Sequence, residues 1–146
     1  VLLFDEIVVV VHEPRPDGTR QMPEVGIVIP AHASALGKAL LAFTPDQKVA
    51  DLRSMTGETI TDPALLELQL KQIRTTGVVT EAEEAVLGEC ATAAPVYDAS
   101  GEPAGAIGLV VPAARWPLDP EAVDALRDTA RTVSRELGAP VWPPRR

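Results

Sequence analysis

Few side chains in this sequence combine the type and spacing that covalent chemistry needs. Ser34 has His32 two residues upstream, a nucleophile and a base in one short stretch. A loop entering a helix produces the same spacing, and no strained strand-to-helix elbow surrounds the serine. His12, His32 and the single cysteine, Cys90, are too few and too widely separated to specify zinc. Glu83 and Glu84 are a pair of carboxylates, but adjacent residues point apart on a strand or a helix, so a solvated acidic loop is the simpler expectation. The chain carries no phosphate-binding loop and no dinucleotide fingerprint. An enzyme is therefore not expected, nor a metal or cofactor.

Two places suit non-covalent recognition better. The segment AHASALGK, from Ala31 to Lys38, puts a capping serine and a glycine at a helix start. Free backbone N–H groups and the positive end of the helix dipole suit such a place to a carboxylate, although ordinary capping explains the same residues. The second place is a hairpin turning at Asp98-Ala-Ser-Gly101. With those four residues as the loop, Tyr97 faces Glu102, Ala93 lies opposite Ala106, and Ala91 lies opposite Gly108, all on one face. The other face holds Thr92, Val96, Ile107, Leu109 and Val111. The small-residue face either leaves a concavity for a ligand or admits a closely packed helix.

The elements that must hold these residues read as follows. Val1–Phe4 and Ile7–Val11 form two strands split by Asp5-Glu6, Glu13–Pro23 an exposed loop, and Val25–Ile29 a strand stopping at Pro30. A helix runs over Ser34–Phe43. A second follows at once, capped by Thr44 with Pro45 in its first turn and Gln47 three residues after the cap. A third is capped by Asp62, carries the stripe Leu66, Leu70 and Ile73, and ends at Gly77. After Val78-Val79 and an acidic loop, Glu81–Glu84, come the strands Ala91–Tyr97 and Glu102–Val111. The closing helix is capped by Asp119, begins at Pro120, repeats Val123, Leu126, Ala130, Val133 and Leu137, and ends at Gly138. Strands and helices do not alternate, which predicts an α+β fold with an antiparallel sheet.

The chain has 146 residues, the size of one domain; 46% are hydrophobic and 23% charged, with a net charge of −8. Its basic residues are scattered, so this domain by itself is not expected to bind a nucleic-acid backbone. No apolar run reaches the roughly 18 residues that span a bilayer, so no membrane contact is expected. The lone Cys90 excludes an intrachain disulfide and points to a reducing, cytoplasmic compartment. Val1 is no initiator methionine and opens inside an apolar run, so sequence is expected upstream. Residues 1–138 are read as the domain and 139–146, with Pro140, Pro143 and Pro144, as a loose tail.

Three segments in order resemble the C-terminal domain of the IclR family of bacterial transcription regulators: PAHASALGKALLAF (Pro30–Phe43), IRTTGVVTEAEEAVLGE (Ile73–Glu89) and ATAAPVYDASGEPAGAIGL (Ala91–Leu109). The resemblance covers nearly the whole chain. It implies a GAF-like fold, a curved antiparallel sheet flanked by helices, with a small-molecule effector in its cup. It also implies a homodimer or homotetramer, and DNA contact only through an N-terminal winged helix-turn-helix domain absent from this chain. Carried over singly, Ala35 and Leu36 fall at the helix start whose amides meet the effector, and Glu81 at a position often acidic in binders of small oxo acids. Ala91 stands where a pocket cysteine is common, and Gly108 and Val110 stand where serines hold the ligand. The resemblance and the hairpin together give a site of Ala35, Leu36, Glu81, Ala91, Ala93, Ala106, Gly108 and Val110.

Cys90 precedes the usual cysteine position by one residue, so strand alternation turns it away from the cup. With two hydroxyls and a thiol replaced, a glyoxylate-sized ligand would lose hydrogen-bond partners at ~1–3 kcal/mol each. The expected effector is a carboxylate larger or more apolar than glyoxylate, such as an aromatic or acyl acid. Two other readings are an assembly module with a vestigial pocket and a small enzyme using Ser34 or Cys90.

Overall fold

The sequence ALGKALL, helix α1 (Ala35–Leu41), has no polar face, and a helix that is apolar all round must be buried. In a computed structural model, which describes residues 2–3, 6–16, 25–44 and 46–143, α1 is the centre of the core. Two antiparallel sheets surround it among the described residues. One has the order β1 (Leu2–Leu3), β2 (Glu6–Val8), β3 (Val28–Pro30). The other has the order β4 (Val79–Ala82), β5 (Glu89–Tyr97), β6 (Pro103–Pro112). Helices α2 (Pro63–Thr76) and α3 (Pro120–Glu136) complete the α+β fold. A 3-10 turn, Ala31–Ala33, joins β3 to α1.

Strand β5 is the middle strand of its sheet, and Cys90 to Tyr97 are all buried. The reason is that both faces are covered. Ala91, Ala93 and Tyr97 pack with α1 in one apolar cluster. Ala94 and Val96 pack with Leu126 and Ala130 of α3 in another. Ser134 joins the buried stripe of α3 at the same four-residue spacing. Its hydroxyl accepts the Tyr97 N–H at 3.0 Å and donates to the Ala130 carbonyl at 2.7 Å, so the polar group is satisfied where it is buried.

Helix α2 has the predicted ends: the Asp62 carboxylate accepts the Ala64 N–H at 2.7 Å, and Gly77 closes the helix at φ +72°. Four expectations are corrected. The helix expected after Thr44 is not formed, and no helix occurs in the described residues 46–62. The Thr44 hydroxyl donates back to the Leu40 carbonyl at 3.0 Å instead of capping forward; Pro45 lies outside the described residues. At α3, Pro120 begins the helix, but the Asp119 side chain makes no capping bond, and its carbonyl accepts the Ala122 N–H at 3.0 Å. Leu137, expected on the apolar stripe, is 49% exposed.

The tail is the fourth. Past Gly138 the chain folds back, and the Trp142 indole donates to the Pro95 carbonyl at 2.8 Å, with the Arg131 guanidinium 5.7 Å from the ring centre. Burial of the indole is what draws this stretch onto the sheet. Of the two opening strands, β1 falls within the expected run, whereas β2 starts one residue early, at Glu6 of the expected turn, and stops at Val8, short of the expected Val11. Phe4 of the first expected strand, Asp5 of the turn and residues 17–24 of the expected loop lie outside the described residues.

Candidate functional site

The register of the second sheet decides which side chains share a face. The pairs are Ala91 with Val110, Ala93 with Gly108, and Pro95 with Ala106; on the other side Glu81 pairs with Ala91 and Val79 with Ala93. This corrects the four-residue-loop reading, which set Ala93 against Ala106 and Ala91 against Gly108. The loop closes over five residues, with the Asp98 N–H donating to the Glu102 carbonyl at 3.0 Å, and an irregularity at Val96/Tyr97 adds one further step. The displacement totals two residues. Because side chains alternate with a period of two, an even slip leaves every residue on its expected face. Glu81, Ala91 and Val110 therefore form one row across the sheet, Val79, Ala93 and Gly108 the next, and Ala106 lies beyond them. Cys90 pairs with Val111 and Ala82, on the opposite face.

Helix α1 lies on this face, and the way it is started sets how closely. The Ser34 hydroxyl accepts the Gly37 N–H at 3.0 Å. A β-carbon on Gly37 would sit 2.2 Å from the Ala31 carbonyl oxygen, so only glycine lets the helix start fold against its own 3-10 turn. Ala35 is buried, while Leu36 reaches over Gly108 with its Cδ2 3.1 Å from where a β-carbon there would stand. Glu81, Ala91, Ala93, Ala106, Gly108 and Val110 thus share the sheet face on which α1 lies, with Leu36 over Gly108 and Ala35 in the same apolar cluster as Ala91 and Ala93. The face is not bare, however: Ala91 and Ala93 are buried beneath the helix, and Leu36, Ala106, Gly108 and Val110 stay half-buried at its margin. Small residues there serve the close packing of the helix. At the same margin Arg15 donates from Nε to the Val110 carbonyl at 3.3 Å, drawn in from a stretch expected to be an exposed loop.

Two charged side chains that the sequence reading left out of the site belong beside it. Lys38 is the one polar side chain of α1 and is wholly buried, its Nζ 2.5 Å from Glu84 Oε1. Glu84, expected in a solvated loop, is buried as well. Its other oxygen accepts the Ile60 N–H at 3.3 Å, and its carbonyl accepts the Thr59 hydroxyl at 2.7 Å. Glu83 does point apart from it, taking φ 57° and accepting the Gly88 N–H at 2.7 Å. The Glu84 N–H in turn donates to Glu81 Oε2 at 2.9 Å.

Burial, with the like charge of Glu84 adding to it, pushes the Glu81 carboxyl up to about 7 against the N–H bonds and the Lys38 charge. Burial likewise lowers Lys38, opposed by its bond to Glu84. The signal that could have found Lys38 was a lone lysine in a helix with no polar face: such a lysine is buried with the helix and needs a buried acid.

The candidate nucleophiles are otherwise engaged. Ser34 is the helix cap, and His32, fully buried, contacts the Arg53 carbonyl through Nε2 at 3.0 Å. Burial pushes the Cys90 thiol up, the opposite of activation. Among the described residues no three His, Cys, Asp or Glu side chains gather as a metal-ligand set, and no helix is long and apolar enough to cross a membrane.

The family model of the bacterial transcriptional regulator IclR C-terminal domain matches residues 1–135. The chain is 38% identical over 147 aligned residues to the glycerol operon regulatory protein of Streptomyces coelicolor, covering 95% of this chain and 58% of that protein. To the HTH-type transcriptional repressor AllR of Klebsiella pneumoniae it is 35% identical over 129 residues, covering 82% of this chain and 47% of the repressor. The chain therefore spans only about half the length of these relatives. Among solved structures it resembles the Thermotoga maritima IclR, with a TM-score of 0.85 at 26% identity over 92% of this chain and 58% of that one. It also resembles a double mutant of the PobR inducer-binding domain from Acinetobacter in complex with 3-hydroxybenzoic acid, with a TM-score of 0.78 at 27% identity over 92% of this chain and 84% of that one. The match runs over nearly the whole sequence: the chain belongs to the IclR family of bacterial transcriptional regulators, as its C-terminal, effector-binding domain.

Proposed function

We propose that a small-molecule effector binds between the start of α1 and the β4–β5–β6 face, at Ala35, Leu36, Glu81, Ala91, Ala93, Ala106, Gly108 and Val110. The observation carrying this reading is that the sheet residues share one face and that α1, with Ala35 and Leu36, lies on it, Leu36 being the movable cover over Gly108. The N–H groups of Ala35 and Leu36 belong to the first turn of α1, where a helix has no acceptor of its own to offer, and suit a carboxylate. Ala91, Gly108 and Val110 offer the ligand no side-chain hydrogen bonds, which favours an acid larger or more apolar than glyoxylate. That an Acinetobacter domain of the same fold holds 3-hydroxybenzoic acid supports an aromatic acid.

The protein is cytoplasmic in this reading and works as a homodimer or homotetramer. The effector shifts the arrangement of subunits, and an N-terminal portion outside this chain contacts DNA. Such control requires different effector affinities in the two arrangements, not binding alone. The relatives named above are transcriptional regulators, which supports a sensor rather than an enzyme.

Calorimetry against 3-hydroxybenzoate, other aromatic acids, glyoxylate and glycerol tests the proposal, glycerol because a relative is a glycerol operon regulator. Saturable binding of an aromatic acid, lost in Ala106→Leu with the circular dichroism spectrum unchanged, is expected. Tight glyoxylate binding would overturn the larger-effector reading; binding that survives Ala106→Leu and Gly108→Leu would move the site elsewhere.

A further inference from the structure

Glu81 does not stand alone in the cup. A continuous chain of contacts runs from it through the turn after β4 to the middle of α1: Glu81 Oε2 accepts the Glu84 N–H at 2.9 Å, and Glu84 Oε1 meets Lys38 Nζ at 2.5 Å. Each residue is nearly inaccessible: Lys38 is 0% exposed, Glu84 5% and Glu81 6%. Glu84 is itself fixed from a third segment, by the Ile60 N–H and the Thr59 hydroxyl, while the Thr56 hydroxyl donates to the Glu83 carbonyl at 2.7 Å. The turn therefore cannot shift without moving Glu81, and α1 cannot shift without disturbing the turn.

Charge counting gives the cluster its purpose. Two carboxylates and one ammonium share a water-poor space, and the ammonium is spent on Glu84. Fully ionised, the set carries one uncompensated negative charge, which is costly where it is buried; a proton on Glu81 removes it. Cys90 of β5, on the opposite face of the sheet, feels the Glu81 charge and is kept as the neutral thiol chiefly by burial, so it adds no charge of its own.

We infer that Lys38 and Glu84 are positioning residues for the effector site: through the Lys38–Glu84–Glu81 chain they set where the Glu81 carboxyl points and whether it faces the cup as a hydrogen-bond donor or as an anion. A donor there accepts an anionic effector that a carboxylate would repel, so these residues select which ligands the cup admits although they meet none directly. This rests on the reading of Glu81 as a cup residue. The test is made without ligand, so the coupling can fail while that reading stands.

The experiment is a carbon-13 NMR titration of the Glu81 side-chain carboxyl in the 146-residue chain, assigned by its loss in Glu81→Gln. A midpoint near 7 is expected in the wild type. Lys38→Met removes the favourable charge and is expected to raise the midpoint by about one unit. Glu84→Gln removes the unfavourable one, leaves Lys38 to Glu81 and lowers it by about one unit or more. Should Lys38→Met fail to fold with Glu84 left unpaired, Lys38→Met with Glu84→Gln neutralises both partners and is expected to bring the midpoint back towards the wild-type value. A wild-type midpoint near the ordinary 4.5, or midpoints unmoved in well-dispersed spectra of Glu84→Gln and the double variant relative to one another, would overturn the inference. A merely structural role for the pair would change stability and leave these midpoints where they were.

Discussion

Leu36 lies over Gly108, with its Cδ2 3.1 Å and the Thr92 carbonyl oxygen 2.9 Å from the place a β-carbon on that glycine would occupy. One neighbour is the end of a flexible side chain and can move; the other is the backbone of the central strand and cannot move cheaply. Gly108→Ala is therefore expected to destabilise the domain by about 1–3 kcal/mol through overpacking. Urea denaturation checks this, and Leu36→Ala in the same background should recover only the part due to the leucine.

Gly37 is more tightly confined, since the whole of its clash is with the backbone of Ala31. In an exposed helix, alanine for glycine would stabilise. Here Gly37→Ala is expected to cost about 3 kcal/mol or more, among the larger effects a single substitution produces. A thermal midpoint equal to the wild type would show that the start of α1 relaxes away from the 3-10 turn.

The raised Glu81 carboxyl makes a signed prediction about pH. The folded chain holds this proton up to about pH 7, whereas the ordinary group releases it near 4.5. Between those values the folded state binds more protons than the unfolded, so the contribution of Glu81 to stability is fully present below about 4.5 and is lost as pH rises through 7. Urea midpoints taken from pH 5 to about 8 are expected to fall further in the wild type than in Glu81→Gln, which has no proton to lose there. Parallel profiles for the two proteins would contradict it.

Trp142 carries the stretch beyond Gly138. Trp142→Phe deletes the indole bond to the Pro95 carbonyl and is expected to cost about 1 kcal/mol. Trp142→Ala removes the ring from Arg131 and Gly77 as well and is expected to cost about 2–3 kcal/mol. Hydrogen exchange at the end of β5 should rise in the alanine variant, because that is where the indole docks.

Legible along the chain were the features that depend on near neighbours. Asp62 and Gly77 ended α2, Ser34 began α1, and Pro120 opened α3, because caps and backbone preferences act within a turn. The face on which Ala91, Ala93, Gly108 and Val110 sit followed from strand alternation, and it survived a wrong register because the slip was even. The resemblance to the IclR family rested likewise on ordered local segments. Tertiary structure alone decided the rest. It turned Thr44 back onto α1, docked Trp142, laid Leu36 over Gly108 and joined Lys38 to Glu84, residues 46 apart in the chain. A buried charge takes its partner from whatever segment the fold brings near, and no pattern along the chain records that distance. The small-residue face was legible beforehand, with a covering helix as one of its two readings; which helix covers it and which charges lie behind it were not, because they are properties of packing.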